Sequence, residues 1–192
     1  MLLSHHHLHH IVDTNILENA KVENINPASI DVCLGNTILR ESPMHKSEYH
    51  RYPSRSLKAV DLQAKESLDF QTLTLTDDEK YTLEPGEFIL AQTIEVFNLP
   101  NHIAGEFRLK STAARNGLDQ SLAVWLDPGW NGSVLTIELK NITQHHALIL
   151  RPGMKIGQVV FFQCFPVPDE HSYAVKGQYN NDKTTQAGKE LK

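Results

Sequence analysis

Two short segments in the second half of the chain carry side chains that could act together on a polar substrate. In the first, KSTAAR at residues 110–115, a helical turn would place Ser111 and Arg115 four residues apart on the same side. A hydroxyl, a guanidinium and the free amides of a helix N-terminus suit an anion or a polarised water molecule. A capped surface helix with an exposed arginine explains the same spacing, so this segment by itself leaves both interpretations open.

The second segment is the alternating pattern VLTIELK at residues 134–140. If it forms a strand, the apolar positions 135, 137 and 139 share one face and Glu138 lies on the other. On a solvated strand, Glu138 would be an ordinary surface carboxylate. In a closed cavity, desolvation would raise its pKa enough for the group to accept and return protons during a reaction.

Asp127 directly precedes the Pro-Gly pair at residues 128–129. Aspartate is common at such positions because its carboxylate hydrogen-bonds to nearby backbone amides. We therefore expect Asp127 to be a turn residue first, and a ligand for water or metal second.

Composition limits the class of partner. The 192 residues include 18 Lys+Arg and 23 Asp+Glu, a formal charge of -5, which does not indicate a nucleic-acid-binding surface. Residues 1–104 hold 8 basic and 15 acidic side chains, whereas residues 105–192 hold 10 basic and 8 acidic ones, so the second part favours an anionic ligand. Neither a signal peptide nor a run of ~20 apolar residues occurs. A cytoplasmic protein with no membrane partner is predicted.

Several familiar catalytic and metal-binding signatures are missing. Cys33 and Cys164 lie far apart, which supports neither a disulfide framework nor a zinc–cysteine site. The glycine motifs that bind phosphates or dinucleotides, or that present a nucleophilic serine, do not occur. The His-x-Glu and Pro-Cys-x-x-Cys set of zinc-dependent nucleobase deaminases is also absent. A deamination by this chain would have to proceed without zinc.

The elements that must position these side chains are mostly strands. Short segments rich in β-branched and aromatic residues occur at 30–34, 88–97, 134–139 and 156–162. Tight corners before strands are predicted by three Pro-Gly pairs, at 85–86, 128–129 and 152–153. The pattern predicts one mainly β domain, built as a barrel or a sandwich.

Two helical segments are expected beside the strands. One is an early helix around residues 13–20. The other is a single turn at residues 112–116, with Ser111 as its cap and Gly117 ending it.

The chain divides into three parts by composition. Five histidines crowd residues 1–12, which we expect to form a flexible His-rich N-terminus. The β domain would span residues 13–168. The polar tail, 169–192, would become ordered on a ligand or a neighbouring subunit and close over the site.

An ordered series of short motifs extends from about residue 25 to residue 182. The motifs are INPASIDVCLG (25–35), VDL (60–62), LEPGEF (83–88), KSTAARNGL (110–118), DPGWNG (127–132), ELKN (138–141) and LRPGMKIGQ (150–158). Together they resemble the dCTP deaminase branch of the dUTPase-like family. The resemblance implies a distorted β-barrel or jelly-roll of the β-clip type with a short N-terminal helix, and a homotrimer with active sites between subunits.

The same resemblance implies an activity. The substrate would be dCTP complexed with Mg²⁺, with the metal held mainly by the triphosphate and no zinc involved. Hydrolysis of the cyclic amidine C–N bond would yield dUTP and ammonia, and the dUTP would serve thymidylate synthesis.

Residue by residue, the resemblance assigns catalytic roles. Glu138 matches the general base, which takes a proton from water so that hydroxide adds to C4 of cytosine. Ser111 and a main-chain carbonyl near Ala123 would hold that water, and Arg115 would support the polar network around Glu138. Asp127 matches an aspartate near the sugar, which in dUTP-hydrolysing relatives prepares water for attack on phosphate.

Further positions are implied to bind substrate. Lys110 stands where arginine is common, so a phosphate contact would keep its charge but lose the bidentate fork. The remaining substrate-binding candidates are Thr112, Tyr173, Lys176, Gln178 and Lys183.

The chain also departs from the family pattern. Asp127 and Glu138 are one residue further apart than usual, and the stretch from 117 to 127 is one shorter, which predicts a bulge between them. Trp125 lies where arginine is frequent, so base specificity could differ from plain dCTP.

Three other functions stay open from the sequence. A bifunctional enzyme would go on to cleave dUTP, and Asp127 leaves room for that. A dUTP diphosphatase alone fits less well, because the glycine- and serine-rich C-terminal phosphate arm is missing. A nucleotide-binding trimer without turnover is the third alternative.

Overall fold

The computed structural model describes residues 1–42, 60–64 and 68–190. Among these residues, helices lie at His5–Asp13 (α1), Ser111–Arg115 (α2) and Tyr173–Lys176 (α3), and short 3-10 turns lie at Val22–Asn24 and Asp169–His171. The strands are Leu17–Glu18 (β1), Ile30–Cys33 (β2), Thr37–Glu41 (β3), Phe70–Thr74 (β4), Tyr81–Leu83 (β5), Phe88–Asn98 (β6), Ile103–Leu109 (β7), Leu118–Gln120 (β8), Trp125–Leu126 (β9), Asn131–Asn141 (β10), Leu148–Leu150 (β11) and Lys155–Gln163 (β12).

The strands form antiparallel sheets. The larger sheet has the order β4-β3-β6-β10-β8, with β1 added to β6. A second sheet has the order β2-β12-β7-β9, and β11 pairs with β5. This confirms the mainly β prediction, although the described strands do not close into one barrel.

Apolar side chains from both sheets pack into one core. The largest fully buried members include Phe97 of β6, Phe107 of β7 and Phe161 of β12. Burial of aromatic rings of this size is the main stabilising contribution to such a fold. Within the described ranges, no helix is long enough and apolar enough to cross a membrane.

The long pair β6–β10 carries the segment that the sequence singled out. Glu138 is paired with Leu90, and the register shifts twice earlier in β10, between Asn131 and Ser133 and between Val134 and Thr136. Such irregularities re-aim side chains and increase the local twist. They confirm the bulge predicted between Asp127 and Glu138.

The predicted corners are also confirmed. Gly86, Gly129 and Gly153, each the second residue of a Pro-Gly pair, have φ angles of 80°, 86° and 80°. A positive φ is strained for residues with a Cβ, which explains why glycine follows proline at these turns.

The N-terminal helix differs from its prediction in position. It spans α1 rather than residues 13–20, and the positive φ angles of Asn15 (54°) and Asn19 (65°) do not allow a helix there. Leu8 and Ile11, three residues apart on one face of α1, are fully buried. Residues 1–12 are therefore attached to the core through Leu3, Leu8 and Ile11, while their flexibility stays a prediction.

The second helical turn also begins one residue earlier than predicted. Ser111 is the first residue of α2, and Lys110 occupies the N-cap position without a capping side-chain hydrogen bond. Ser111 is therefore not the cap. Gly117 follows the helix with a φ of 85°, as expected for a residue that ends it.

Candidate active site

A cavity of about 540 Å³ lies against one face of β10. Most of its wall is apolar, with side chains such as Leu68, Phe70, Phe88, Leu90 and Leu135. Its polar wall is formed by Asp127, Thr136, Glu138, Tyr173, Tyr179, Asp182, Gln186 and Lys189. A mostly apolar cleft with a few convergent polar groups is the usual form of a small-molecule site.

Glu138 brings an unusual carboxyl group into this cavity. Its Oε2 is buried and has no hydrogen-bond partner among the residues that the structure describes. Burial raises the pKa of Glu138 above its ordinary value. The alternation along β10 thus turns Glu138 away from the core and into the cavity, where desolvation favours the protonated form of its carboxyl group.

The segment from β9 to the following turn forms the adjacent wall. Ala123, Trp125 and Asp127 all line the cavity. Asp127 Oδ1 accepts a hydrogen bond of 3.0 Å from Trp125 Nε1, and the Asp127 carbonyl oxygen accepts one of 3.1 Å from the amide of Trp130. Asp127 is thus a turn residue, as expected, and also presents its carboxylate at the cavity.

The C-terminal tail runs along β10 of its own chain. The carbonyl oxygen of Tyr179 accepts hydrogen bonds from Trp130 Nε1 (2.6 Å) and Ser133 Oγ (3.0 Å). The Asp182 carbonyl oxygen accepts from the amide of Val134 at 3.0 Å. Further on, the amide of Thr185 donates to Gln92 Oε1 at 2.8 Å. These contacts hold the tail against the cavity.

Only one of the four site residues predicted in the tail lines the cavity. Tyr173 does, and burial raises the pKa of its hydroxyl. Lys176 instead lies 2.7 Å from His171 Nδ1, and Gln178 Nε2 lies 3.4 Å from the carbonyl oxygen of Glu190. Lys183 is exposed.

Six tail residues at the cavity were not predicted from the sequence, and three of them, Tyr179, Asp182 and Lys189, are linked by contacts of Lys189. Lys189 Nζ lies 2.6 Å from the Gln178 carbonyl oxygen, 3.6 Å from Asp182 Oδ2 and 4.4 Å from the centre of the Tyr179 ring. Asp182 Oδ2 is buried without a hydrogen bond from any described residue. The signal available in the sequence was an aromatic residue, Tyr179, followed by an acidic and a basic residue, Asp182 and Lys189, in a polar tail.

The residues of α2 do not line this cavity. Ser111, Thr112 and Arg115 fall outside its wall, and Ser111 and Arg115 are exposed. A single chain therefore brings Glu138, Ala123, Asp127 and Tyr173 to one cavity but not the α2 side chains.

Lys110, predicted to contact phosphate, makes an internal ion pair instead. Its Nζ donates a 2.8 Å hydrogen bond to Asp31 Oδ1, which also accepts one of 2.8 Å from Asn26 Nδ2. Lys155 Nζ lies 3.4 Å from the other carboxylate oxygen. Burial alone would raise the pKa of Asp31, but the hydrogen bonds from Lys110 and Asn26 and the two ammonium charges lower it below its ordinary value.

Metal ligation was tested on the same residues. Within the ranges 1–42, 60–64 and 68–190, no three His, Cys, Asp or Glu side chains are grouped closely enough to hold a metal ion. The donor set at the cavity is therefore compatible with a divalent cation that a ligand's phosphate oxygens carry.

Comparison with known proteins identifies relatives over most of the chain. A family model described as dCTP deaminase-like matches residues 2–164. A protein of Acidothermus cellulolyticus named "dCTP deaminase, dUMP-forming" is 42% identical over 151 residues, which cover 78% of this chain and 71% of the relative. A protein of the same name from Nanoarchaeum equitans is 34% identical over 191 residues, covering 95% of this chain and 94% of that one.

A solved structure supports the same fold. The 2'-deoxycytidine 5'-triphosphate deaminase from Agrobacterium tumefaciens superposes with a TM-score of 0.60 at 17% identity. The match covers 83% of this chain but only 48% of that one, and at this identity it speaks for the fold alone. With a family model matching residues 2–164 and relatives well above 30% identity, the chain belongs to the dCTP deaminase-like family.

Proposed function

We propose that this protein deaminates dCTP and then cleaves the dUTP formed, giving dUMP. The first step converts dCTP and water into dUTP and ammonia. The second converts dUTP and a second water into dUMP and diphosphate. The observation that carries the proposal is the Glu138 carboxyl group in an apolar cavity, with its Oε2 buried and not hydrogen-bonded by any described residue, at the position that matches the general base.

In the deamination step, Glu138 takes a proton from water, and the hydroxide adds to C4 of the cytosine ring. The same carboxyl group passes this proton to N3, then takes the proton of the new C4 hydroxyl as the carbonyl forms and delivers it to the amino group, which departs as ammonia. Burial supports this role because it raises the pKa of the carboxyl group, and a raised pKa makes the group a better proton acceptor. The apolar wall keeps competing water away.

The end product, dUMP rather than dUTP, is the second part of the proposal. The sequence first suggested dUTP as the end product, with a bifunctional enzyme as the alternative. Relatives named as dUMP-forming favour the alternative. Asp127 supports it, because its carboxylate lies on the cavity wall, where it could prepare a water for attack on phosphate.

The remaining parts of the site would come from outside the single chain. Ser111 and Arg115 are exposed on α2, away from the Glu138 cavity. In a homotrimer with sites between subunits, α2 of one copy would supply them to the cavity of the next. Mg²⁺ would arrive with the triphosphate and neutralise part of its charge.

A product assay tests the proposal. Purified protein is incubated with dCTP and Mg²⁺, and ammonia, dUTP, dUMP and diphosphate are followed together. We expect ammonia and diphosphate in equal amounts, with dUTP at most transient. A Glu18→Gln variant, which changes an exposed carboxylate on β1, is the matched control and should behave as wild type.

Each other outcome points to a different function. Ammonia without diphosphate would mean a deaminase that stops at dUTP. Diphosphate from dUTP without ammonia from dCTP would mean a diphosphatase alone. The absence of all products, with nucleotide still bound, would favour the binding trimer and refute the proposal.

A further inference from the structure

Trp125 is a large apolar residue with no obvious reason to be at the surface. Its relative exposure is 57% in this chain. It belongs to the short edge strand β9, where its backbone pairs with Glu106 of β7, and its side chain lines the Glu138 cavity. Neither the core nor the strand pairing explains the position of its indole ring. The polar atom of the ring, Nε1, has a partner in the cavity wall.

The indole nitrogen of Trp125 is hydrogen-bonded to Asp127. Trp125 Nε1 donates a hydrogen bond of 3.0 Å to Asp127 Oδ1. The two side chains point the same way because residues two apart in an extended segment share a face. The second oxygen, Asp127 Oδ2, accepts no hydrogen bond from the residues that the structure describes.

The indole is itself held in place. Its ring stacks on Phe162 of β12, with 6.0 Å between centroids and 29° between planes. A hydrogen bond from a fixed ring restricts a carboxylate strongly, because the terminal torsion of aspartate is otherwise broad. Donation to an ionised acceptor also makes this bond stronger than one between neutral groups.

We infer that Trp125 is a positioning residue for Asp127 in the cleavage of dUTP, an inference that rests on the proposed second step. Trp125 Nε1 holds Oδ1, which leaves Oδ2 as the oxygen that acts on a water molecule in the cavity that Asp127 lines. There Oδ2 takes a proton from a water molecule as its oxygen bonds to the α-phosphorus. The bond from that phosphorus to the bridging oxygen breaks, and diphosphate leaves.

The test separates the indole nitrogen from the aromatic ring. Trp125→Phe keeps a ring that can stack on Phe162 but removes the donor. We expect this variant, assayed directly on dUTP, to lose about tenfold in kcat, the scale for loss of one charge-assisted hydrogen bond, with KM changed less than about twofold. Ammonia release from dCTP should fall by a clearly smaller factor, because Glu138 rather than Asp127 transfers the protons in that step.

Two further variants act as controls. Trp125→His offers a ring N–H again and should recover part of the lost dUTP cleavage. Phe165→Leu changes an aromatic residue that is 94% exposed and does not line the cavity, and should have no effect. Thermal unfolding of all three variants checks that the fold is intact.

The inference and the proposed function fail in different ways. An unchanged ratio of dUMP to ammonia in Trp125→Phe, or an equal loss in both steps, overturns the positioning role. Wild-type protein that releases ammonia but never diphosphate overturns it too, while the deaminase assignment stands. If the wild-type protein cleaves dUTP but releases no ammonia, the deaminase assignment is wrong. The role of Trp125 is then decided by the rate of dUTP cleavage alone.

Discussion

The carboxyl group of Glu138 lies where ionisation is unfavourable, since one of its oxygens is buried without a hydrogen-bond partner from the described residues. Its pKa in the folded protein is raised by burial. The folded state therefore binds this proton more tightly than the unfolded state, and its stabilising effect is complete only below the unfolded pKa of about 4.3. As pH rises through the folded-state pKa, that stability is lost.

Glu138→Gln should separate catalysis from stability. The amide cannot take a proton from water, so ammonia release should fall by at least ~10²-fold while nucleotide binding remains. The same change removes a buried ionisable group, so Tm at pH 7 to 8 should rise by about 2–4 °C, the shift that ~1 kcal/mol produces in a domain of this size. Ammonia assays and thermal unfolding at several pH values measure both effects.

The gain in Tm should disappear near pH 4, where wild-type Glu138 is protonated in both states. Undiminished ammonia release in Glu138→Gln would remove this residue from the role of base. A variant with equal Tm at every pH would show that the raised pKa has no energetic consequence.

Asp31 shows the opposite titration behaviour. Its side chain is 6% exposed, and Lys110, Asn26 and Lys155 together lower its pKa despite its burial. A lowered pKa contributes stability that is complete above the unfolded value of about 3.9 and is lost as pH falls through the folded value. The pair is therefore a structural element of the fold under neutral conditions.

Lys110→Met should destabilise the protein by about 1–3 kcal/mol at pH 7, because it leaves a buried carboxylate with weaker partners. The lysine side chain is 33% exposed, which keeps the effect below that of a fully buried pair. Denaturant unfolding at pH 7 and below pH 4 measures it, and the difference from wild type should shrink in acid.

The comparison for this prediction is Lys155→Met, whose ammonium is 3.4 Å from Asp31 and whose side chain is 47% exposed. It should cost clearly less than Lys110→Met. Equal costs for the two variants, or none for either, would contradict the structural role of the Lys110 pair.

At the scale of elements, the tail and β10 form one unit around the cavity. Tyr179 and Asp182 bond to β10 through their carbonyl oxygens, and Thr185 bonds to Gln92 of β6. Lys189 closes the loop, since its Nζ donates to the Gln178 carbonyl oxygen and its amide donates to the Tyr179 hydroxyl at 3.0 Å. The tail is thus held at both its beginning and its end.

Lys189→Met should loosen this closure. We expect faster amide hydrogen exchange at residues 179–189 and a KM for dCTP several-fold higher, with kcat changed much less, because the proposed role of the tail is to enclose the nucleotide rather than to contact the reacting atoms. Hydrogen-exchange mass spectrometry and steady-state kinetics measure the two effects.

Lys80→Met is the matched control, since Lys80 is exposed and outside the cavity wall. It should leave exchange and KM unchanged. Wild-type exchange rates in Lys189→Met would show that its contacts do not hold the tail.

At the scale of the whole molecule, the site residues are divided between two places on one chain. Glu138 and Asp127 line the cavity, whereas Ser111 and Arg115 are exposed on α2. In a cyclic trimer, the same head-to-tail contact repeats three times and could complete three equivalent sites. This arrangement has a consequence that a site within one chain does not have.

Mixing two inactive variants should restore activity. Glu138→Gln and Arg115→Ala chains, each inactive alone, are unfolded together and reassembled in equal amounts. A site that takes Glu138 from one chain and Arg115 from its neighbour is then intact in about one case in four, so about a quarter of wild-type ammonia release should return.

The control replaces Arg115→Ala with the double variant that carries both changes. No intact site can form in that mixture, and ammonia release should remain absent. If the first mixture also stays inactive although mixed trimers are present, Glu138 and Arg115 do not meet across a subunit boundary.

Local chemistry made much of this protein predictable from its sequence. The Pro-Gly corners follow from the torsion angles of two adjacent residues, and the strand pattern places Glu138 opposite the core positions because side chains alternate along a strand. Compared with the family pattern, one more residue separates Asp127 from Glu138. This predicted a bulge, since an inserted residue in a paired strand has to be accommodated locally.

Contacts between distant residues were decided only by the tertiary structure. Lys110 pairs with Asp31, 79 residues earlier, and no local pattern signals that partner. Leu8 and Ile11 are buried because α1 packs against the core. The composition of residues 1–12, with five histidines, gave no sign of this contact. Tyr179, Asp182 and Lys189 reach the cavity because the tail follows β10, and such a path depends on the completed sheet rather than on the tail's own residues.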